Sequence, residues 1–377
     1  MPQEEVISSG MVERIGLENA QIHYKTNTTK ITLTEAVPTH KEGLQTIVKL
    51  LLDSKIGVLK NADVIDVVGH RVVHGGSTFA KTTLIDEKVK KKINDLAALA
   101  PLHNPPNLEG IIVAEQLFPK AKQVAVFDTA FHQSIPQKAY QYAIPTKFLD
   151  DNQIRLYGFH GTSHKYVSEK AIAYLGLKHS KLISIHLGNG CSMTAIKDGK
   201  SVDHSLGFGP MNGLIMGTRS GDIDQSVIFY LVNSLGYTLA EVNTLLQKQS
   251  GMYGLTGFSD LRDIESEAEK GNKACQLALD MNAYHIKKYI GAYVAALNGV
   301  DALIFTAGIG EHSDVMRHLI CNEMEGLGID LNQDKNKAYK GGIEEIQLAE
   351  SKVKILIVPT NEEIEIAQQS FFLIKDL

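Results

Sequence analysis

Five short β-branched runs, each ending abruptly in glycine or polar residues, constrain this chain most: Asp63-Val-Ile-Asp-Val-Val68, Gln123-Val-Ala-Val-Phe127, Leu182-Ile-Ser-Ile185, Ala302-Leu-Ile-Phe305 and Lys354-Ile-Leu-Ile-Val358. Their length and continuous apolar character predict buried strands. Helical periodicity marks residues 41–53, 86–99, 239–249, 273–297 and 362–374, so the class is α/β. Beyond the runs the chain reads Gly69-His70-Arg71, Asp128-Thr129-Ala130, His186-Leu187-Gly188-Asn189-Gly190, Thr306-Ala307-Gly308-Ile309-Gly310-Glu311 and Pro359-Thr360-Asn361-Glu362-Glu363. Ligands of open α/β sheets sit beyond the carboxyl ends of strands, and these loops are expected to converge on one cleft.

The charge balance narrows the ligand. With 38 basic and 43 acidic residues the net charge is −5, so no basic field exists to collect a nucleic acid, and any anion must be held locally. A length of 377 residues with 44% hydrophobic positions suits two or three domains. Cys191, Cys275 and Cys321 are odd in number and lack a C-x-x-C pair, which fits reduced thiols better than disulfides or structural zinc. The acidic start Met1-Pro-Gln-Glu-Glu5 carries no signal-peptide pattern, and the apolar stretch from Ile290 to Ile309 is broken by Asn298 and Asp301. A cytoplasmic protein without a membrane span is expected. Eleven of the 32 glycines fall between Gly158 and Gly221, where backbone must approach something closely or adopt positive φ.

No G-x-x-x-x-G-K-[ST] occurs, and Gly207-x-Gly209-x-x-x-Gly213 has the wrong spacing for a dinucleotide fingerprint. Candidate phosphate cradles are Gly188-Asn189-Gly190 and Gly308-Ile309-Gly310. Arg71 and Arg219 lie among glycines and suit bidentate capture of an anion, with a surface ion pair as the alternative for each. Asp128 and Glu362 follow buried strands and need partners. Glu362 can answer the dipole of the last helix, or the carboxylates can hold a hard cation such as Mg²⁺. Of His103, His160, His164 and His186, the i, i+4 pair His160 and His164 lacks a third ligand for zinc, and a histidine donating to a phosphoryl oxygen fits better. Ser163 sits in no nucleophile elbow. Arginines, carboxylates, glycine loops and no obvious covalent nucleophile are the components of phosphoryl transfer.

At these loops the sequence resembles the acetate kinase family across nearly the whole chain: GHRVVHGG from Gly69, LAPLHNPPNLEGI from Leu99, VFDTAFHQSIP from Val126, YGFHGTSHKYVS from Tyr157, HLGNGCS from His186, MGTRSGDID from Met216, FTAGIGEH from Phe305 and VPTNEE from Val358. The resemblance implies two actin-like (ribonuclease H-like) domains around a central cleft. An N-terminal domain would comprise 1–129 plus 364–377, and a nucleotide-binding and dimerisation domain 130–363. It also implies a homodimer and reversible Mg²⁺-dependent transfer (Mn²⁺ as a substitute) from ATP to acetate, giving ADP and acetyl phosphate in line. By that pattern Arg71 and Arg219 flank the phosphoryl group, His160 donates to it, Asp128 is the active-site carboxylate and Glu362 holds the metal.

Val73, Leu102, His103, Phe159 and Pro210, with Arg71, resemble the family's substrate site. His186, Leu187, Gly188, Asn189, Gly190, Asp260, Leu261, Arg262, Gly308, Ile309, Gly310, Glu311 and His312 resemble its nucleotide contacts. Departures from the usual wording at Gly207–Gly213, at His312 in place of asparagine and at Leu261 in place of an aromatic bear on nucleotide or acyl preference. The family opens with a strand and an Asn-Ala-Gly-Ser-Ser-Ser phosphate loop, whereas Val6–Gly16 here resembles the segment that follows. The expectation is a front edge shortened by roughly 15 to 20 residues, with Met1 an internal methionine. A propionate or short-chain acyl kinase, or an impaired nucleotide-binding homologue, is the alternative.

Overall fold

A computed structural model describes residues 1–375. The chain divides into two compact units, Met1–Ala130 with the chain from Glu362 onward, and Phe131–Asn361. The described strands are β1 (Ser8–Glu13), β2 (Ala20–Thr26), β3 (Lys30–Glu35), β4 (Val67–Val72), β5 (Thr83–Leu84), β6 (Lys122–Phe127), β7 (Lys181–Leu187), β8 (Cys191–Lys197), β9 (Lys200–His204), β10 (Ala302–Thr306), β11 (Glu344–Glu345) and β12 (Lys354–Ile357).

In the first unit β1, β2 and β3 form an antiparallel meander. β2 alternates with period two, burying Ala20, Ile22 and Tyr24 while its other face stays partly open. β4 and β6 are parallel, with β5 antiparallel on the far side of β6. β6 shows no alternation because Val124, Ala125, Val126 and Phe127 are all buried. The Phe127 ring stacks on Phe79 with centroids 4.3 Å apart, inside a core completed by Val72, Ile93 and Ile111. The last helix, Glu362–Lys375, packs on β4 and β6. Gly69 is where it crosses: a Cβ there would lie 2.6 Å from Ile366 Cγ2 and 2.7 Å from Ser370 Oγ.

Two expected boundaries move. The strand expected from Asp63 starts at Val67, because the Asn61 side chain accepts the Asp63 N–H and opens a 3₁₀ turn over Ala62–Val64. The helix expected over 86–99 ends at Asp95 and tightens into a 3₁₀ turn over Leu96–Ala98.

The second unit holds a six-stranded sheet in the order β11-β12-β10-β7-β8-β9. β7, β10 and β12 run parallel, while β8, β9 and β11 pair antiparallel with their neighbours. Leu182, Ile183 and Ile185 of β7 and every residue of β10 are buried, as a sheet covered on both faces requires. The helix Gly161–Leu175 packs on β7 and β10, and the long helix Lys273–Leu297 on β7 and β8. Because β7, β10 and β12 are parallel, the loops after His186, Thr306 and Val358 leave one edge of this sheet. The loops after β4 and β6 leave the sheet of the other unit. Among the described residues no helix is long and apolar enough to cross a membrane.

Candidate active site

In the first unit the site is built on the adjacent ends of parallel β4 and β6. Arg71 Nε donates to both Asp128 oxygens at 3.1 and 3.0 Å, and its Nη2 donates to Oδ2 at 2.5 Å. The Glu362 carboxylate lies 3.6 Å from Arg71 Nε. Asp128 is buried and paired with the bidentate guanidinium, so removing Arg71 would take away the counter-charge of a buried carboxylate. Arg71 is still 44% exposed at its side chain, which leaves guanidinium surface open to a ligand. Asp128 and Glu362 hold Arg71 protonated. Burial pushes the Glu362 carboxyl upward while Arg71 pulls it down, so a further cation beside it would be welcome.

The loop after β4 is fixed by groups that sequence reading did not single out. Asn107 Oδ1 accepts from Val73 N at 3.0 Å, and buried Asn104 accepts from His74 N and donates to the His74 carbonyl. Gly75 N donates to Thr129 Oγ1, and a Cβ on Gly75 would press on the Phe127 ring at 3.0 Å. His103 stands at the head of helix Asn104–Leu117, and Leu102 beside it is exposed.

In the second unit His160 takes φ 55° at the head of helix Gly161–Leu175. Its ring stacks on His186 with centroids 4.5 Å apart, and its Nδ1 is 2.8 Å from Ser192 Oγ. Ser163 Oγ lies 2.9 Å from both His186 Nδ1 and Thr360 Oγ1, and because Ser163 is fully buried this is a structural bridge. Phe159 is buried, its N–H donated to His204 Nε2 and its carbonyl accepting from His132 Nε2. These two histidines were not among the candidates, and nothing in their sequence spacing marks them.

Arg219 differs from Arg71. Its Nη1 donates to the Pro210 carbonyl at 3.0 Å, and among the described residues no carboxylate pairs with it. Burial disfavours its charge, the situation of a guanidinium waiting for an anion. The nearby Cys191 thiol, pushed up to about 12 by burial, stays neutral and supplies no counter-charge.

Most of the expected nucleotide segments come together. Gly188, Asn189, Asp260, Leu261, Arg262, Gly308, Ile309 and His312 line one cavity of about 540 Å³ in the second unit. The Gly308–Gly310 stretch, read as a loop, is a short helix, Ala307–His312, entered through Ala307 at φ 64°. Asp260 caps the next helix and is held down to about 2 by the Arg262 guanidinium. His186, Leu187 and Gly310 are buried behind the cavity, and Glu311 accepts from Thr360 N at 3.1 Å. Arg317, also missed, is 1% exposed and clamps the short helix from behind. Its Nη1 donates to the Gly310 and Glu311 carbonyls, while Nε and Nη2 donate to Asn336.

Among the described residues no group of three or more His, Cys, Asp or Glu side chains is set to hold a metal. Mg²⁺ needs less, since one or two carboxylates plus phosphate oxygens and water complete its shell. Asp128 and Glu362, both beside Arg71, offer such a donor set.

Comparison with known proteins agrees with this geometry. The sequence pattern of the acetokinase family matches residues 1–368. The acetate kinase of Flavobacterium johnsoniae is 62% identical over 376 residues, covering 100% of this chain and 95% of the relative. The crystal structure of Porphyromonas gingivalis acetate kinase superposes with a TM-score of 0.93 at 42% identity, covering 99% of this chain and 95% of that one. A propionate kinase from Francisella tularensis superposes with a TM-score of 0.92 at 39% identity, covering 98% and 94%. A mixed α/β chain in two units, with paired arginine and carboxylate at one pair of strand ends and a glycine-lined cavity at another, therefore belongs to the acetokinase family and has its two-domain actin-like fold.

Proposed function

We propose that the chain catalyses reversible, Mg²⁺-dependent transfer of the γ-phosphoryl group of ATP to acetate. A carboxylate oxygen of acetate attacks the γ-phosphorus in line, the bond to the β-phosphate oxygen breaks, and acetyl phosphate and ADP leave. The observation that carries this reading is the convergence of the nucleotide segments on one cavity of about 540 Å³, in a chain whose relatives are acetate kinases.

The transferring group gathers negative charge on its equatorial oxygens, and catalysis of such a step is mostly positioning and charge neutralisation. Arg219, with no carboxylate partner among the described residues, and Arg71, anchored by Asp128, take that charge. His160 donates to a phosphoryl oxygen. Glu362, with Asp128 beside it at Arg71, would hold Mg²⁺, and the ion would supply charge neutralisation. Val73, Leu102, His103, Phe159 and Pro210 border the acyl group, and Cys191 takes no covalent part.

Exposed Phe229, Tyr230, Leu239 and Tyr284, 61–70% accessible, support a homodimer. With three free cysteines the chain suits the reducing cytoplasm. The likeness to a propionate kinase supports propionate as the second acyl substrate. Steady-state rates with acetate, propionate and butyrate test the assignment. Acetate should be preferred, propionate tolerated, and a clear preference for butyrate would reject it.

A further inference from the structure

Ser192 Oγ lies 2.8 Å from His160 Nδ1 and 2.8 Å from His164 Nε2, and His164 Nδ1 lies 2.9 Å from Ser184 Oγ. Ser184, His164 and Ser192 are all fully buried. A serine hydroxyl carries one hydrogen. Among the described residues these two imidazoles are the only partners of the Ser192 hydroxyl, so its single hydrogen goes to one ring and its oxygen accepts from the other, which ties the tautomers of His160 and His164 together. His164, buried among other histidines, stays neutral.

Two arrangements satisfy the geometry. In the first, Ser184 donates to His164 Nδ1, His164 Nε2–H donates to Ser192, and Ser192 donates to His160 Nδ1, so the His160 proton sits on Nε2. In the second every bond reverses and the proton sits on Nδ1. Among the described residues His164 is the sole hydrogen-bond partner of the Ser184 hydroxyl. The second arrangement would leave the Ser184 hydroxyl hydrogen buried without an acceptor, whereas the first leaves none unmet.

We infer that Ser184, His164 and Ser192 form a one-way hydrogen-bond relay that holds His160 neutral as its Nε2–H tautomer, with Ser192 the positioning residue. This rests on the role given to His160 above. A neutral imidazole with a fixed Nε2–H can donate to an incoming phosphoryl oxygen without first taking up a proton.

The test is nitrogen NMR on the full chain carrying ¹⁵N-labelled histidine, with steady-state kinetics on the same samples. The wild-type chain should show His160 protonated at Nε2 and unprotonated at Nδ1. In Ser192→Ala that preference should be lost, and kcat should fall by about 10- to 100-fold, the scale for groups that orient an active imidazole, with both KM values within about threefold. Ser192→Thr, which keeps the hydroxyl, should recover most of kcat. Ser184→Ala, farther along the relay, should give mixed His160 tautomers even if Ser192→Ala fails to fold. A wild-type His160 protonated at Nδ1, or a Ser192→Ala chain with kcat within about twofold of wild type, overturns the inference. An active His160→Gln variant would instead overturn the role of His160, while the spectra would still report on the relay.

Discussion

Arg317→Met removes a buried guanidinium while nearly keeping its volume. Arg317 is 1% exposed, and its four hydrogen bonds go to the Gly310 and Glu311 carbonyls and to Asn336 Oδ1 and O. Hydrogen bonds from a charged donor are worth roughly 1.5–3 kcal/mol each when a partner is lost, but burial already disfavours this charge and offsets part of that. A net loss of about 2–4 kcal/mol is expected. For a unit of this size each kcal/mol moves Tm by about 2–4 °C, so a drop of roughly 5–15 °C should appear in thermal unfolding. The two carbonyls belong to the short helix that lines the cavity proposed for the nucleotide, so ADP affinity should fall with stability in calorimetric titration. Unfolding within 1–2 °C of wild type, about the error of such a comparison, together with unchanged ADP affinity would refute the clamp.

Arg219→Ala should lower kcat by about 10³-fold or more in a coupled ADP-release assay under the role proposed for its guanidinium, neutralising the transferring group; a loss under about tenfold rejects that role. Gly69→Ala places a methyl 2.6 Å from Ile366 Cγ2 and should destabilise the first unit by about 1–3 kcal/mol in urea unfolding, with no change there arguing against close helix-to-strand packing. Burial lowers His74 to about 4 and drives His164 and His204 down as well. Between pH 6.5 and 4 the unfolded chain binds these protons and the folded chain does not, so stability falls as pH falls through that window and is complete above it. His74 alone accounts for about 3 kcal/mol, and His74→Gln should flatten the urea midpoint between pH 7.5 and 5; an unchanged slope would contradict it.

Signals in the sequence were strongest where one residue's environment is set by its neighbours in the chain. The runs that became β6, β7, β10 and β12 are apolar on both faces, and the helices Lys273–Leu297 and Glu362–Lys375 are long stretches uninterrupted by proline. β1 and β3 were missed because they are largely exposed, so no buried apolar run marks them. Helix Gly161–Leu175 was hidden by the glycine and histidine at its head. At the site, Arg71 and Asp128 were visible because charge at the end of a buried strand is unusual, and Arg219 because it lies in a glycine-rich loop. Asn104, Ser192, Arg317, His132 and His204 were not, since each works through a partner between 10 and 69 residues away along the chain. Spacing along the chain carries no record of such pairs.

The most direct measurement mixes the purified chain with ATP, Mg²⁺ and acetate, then traps the acyl phosphate with hydroxylamine while ADP is counted in the same reaction. One acyl hydroxamate for each ADP released, with neither formed when acetate is left out, is the expected result. ADP released without hydroxamate, or no acetate-dependent turnover at all, would contradict phosphoryl transfer to a carboxylate.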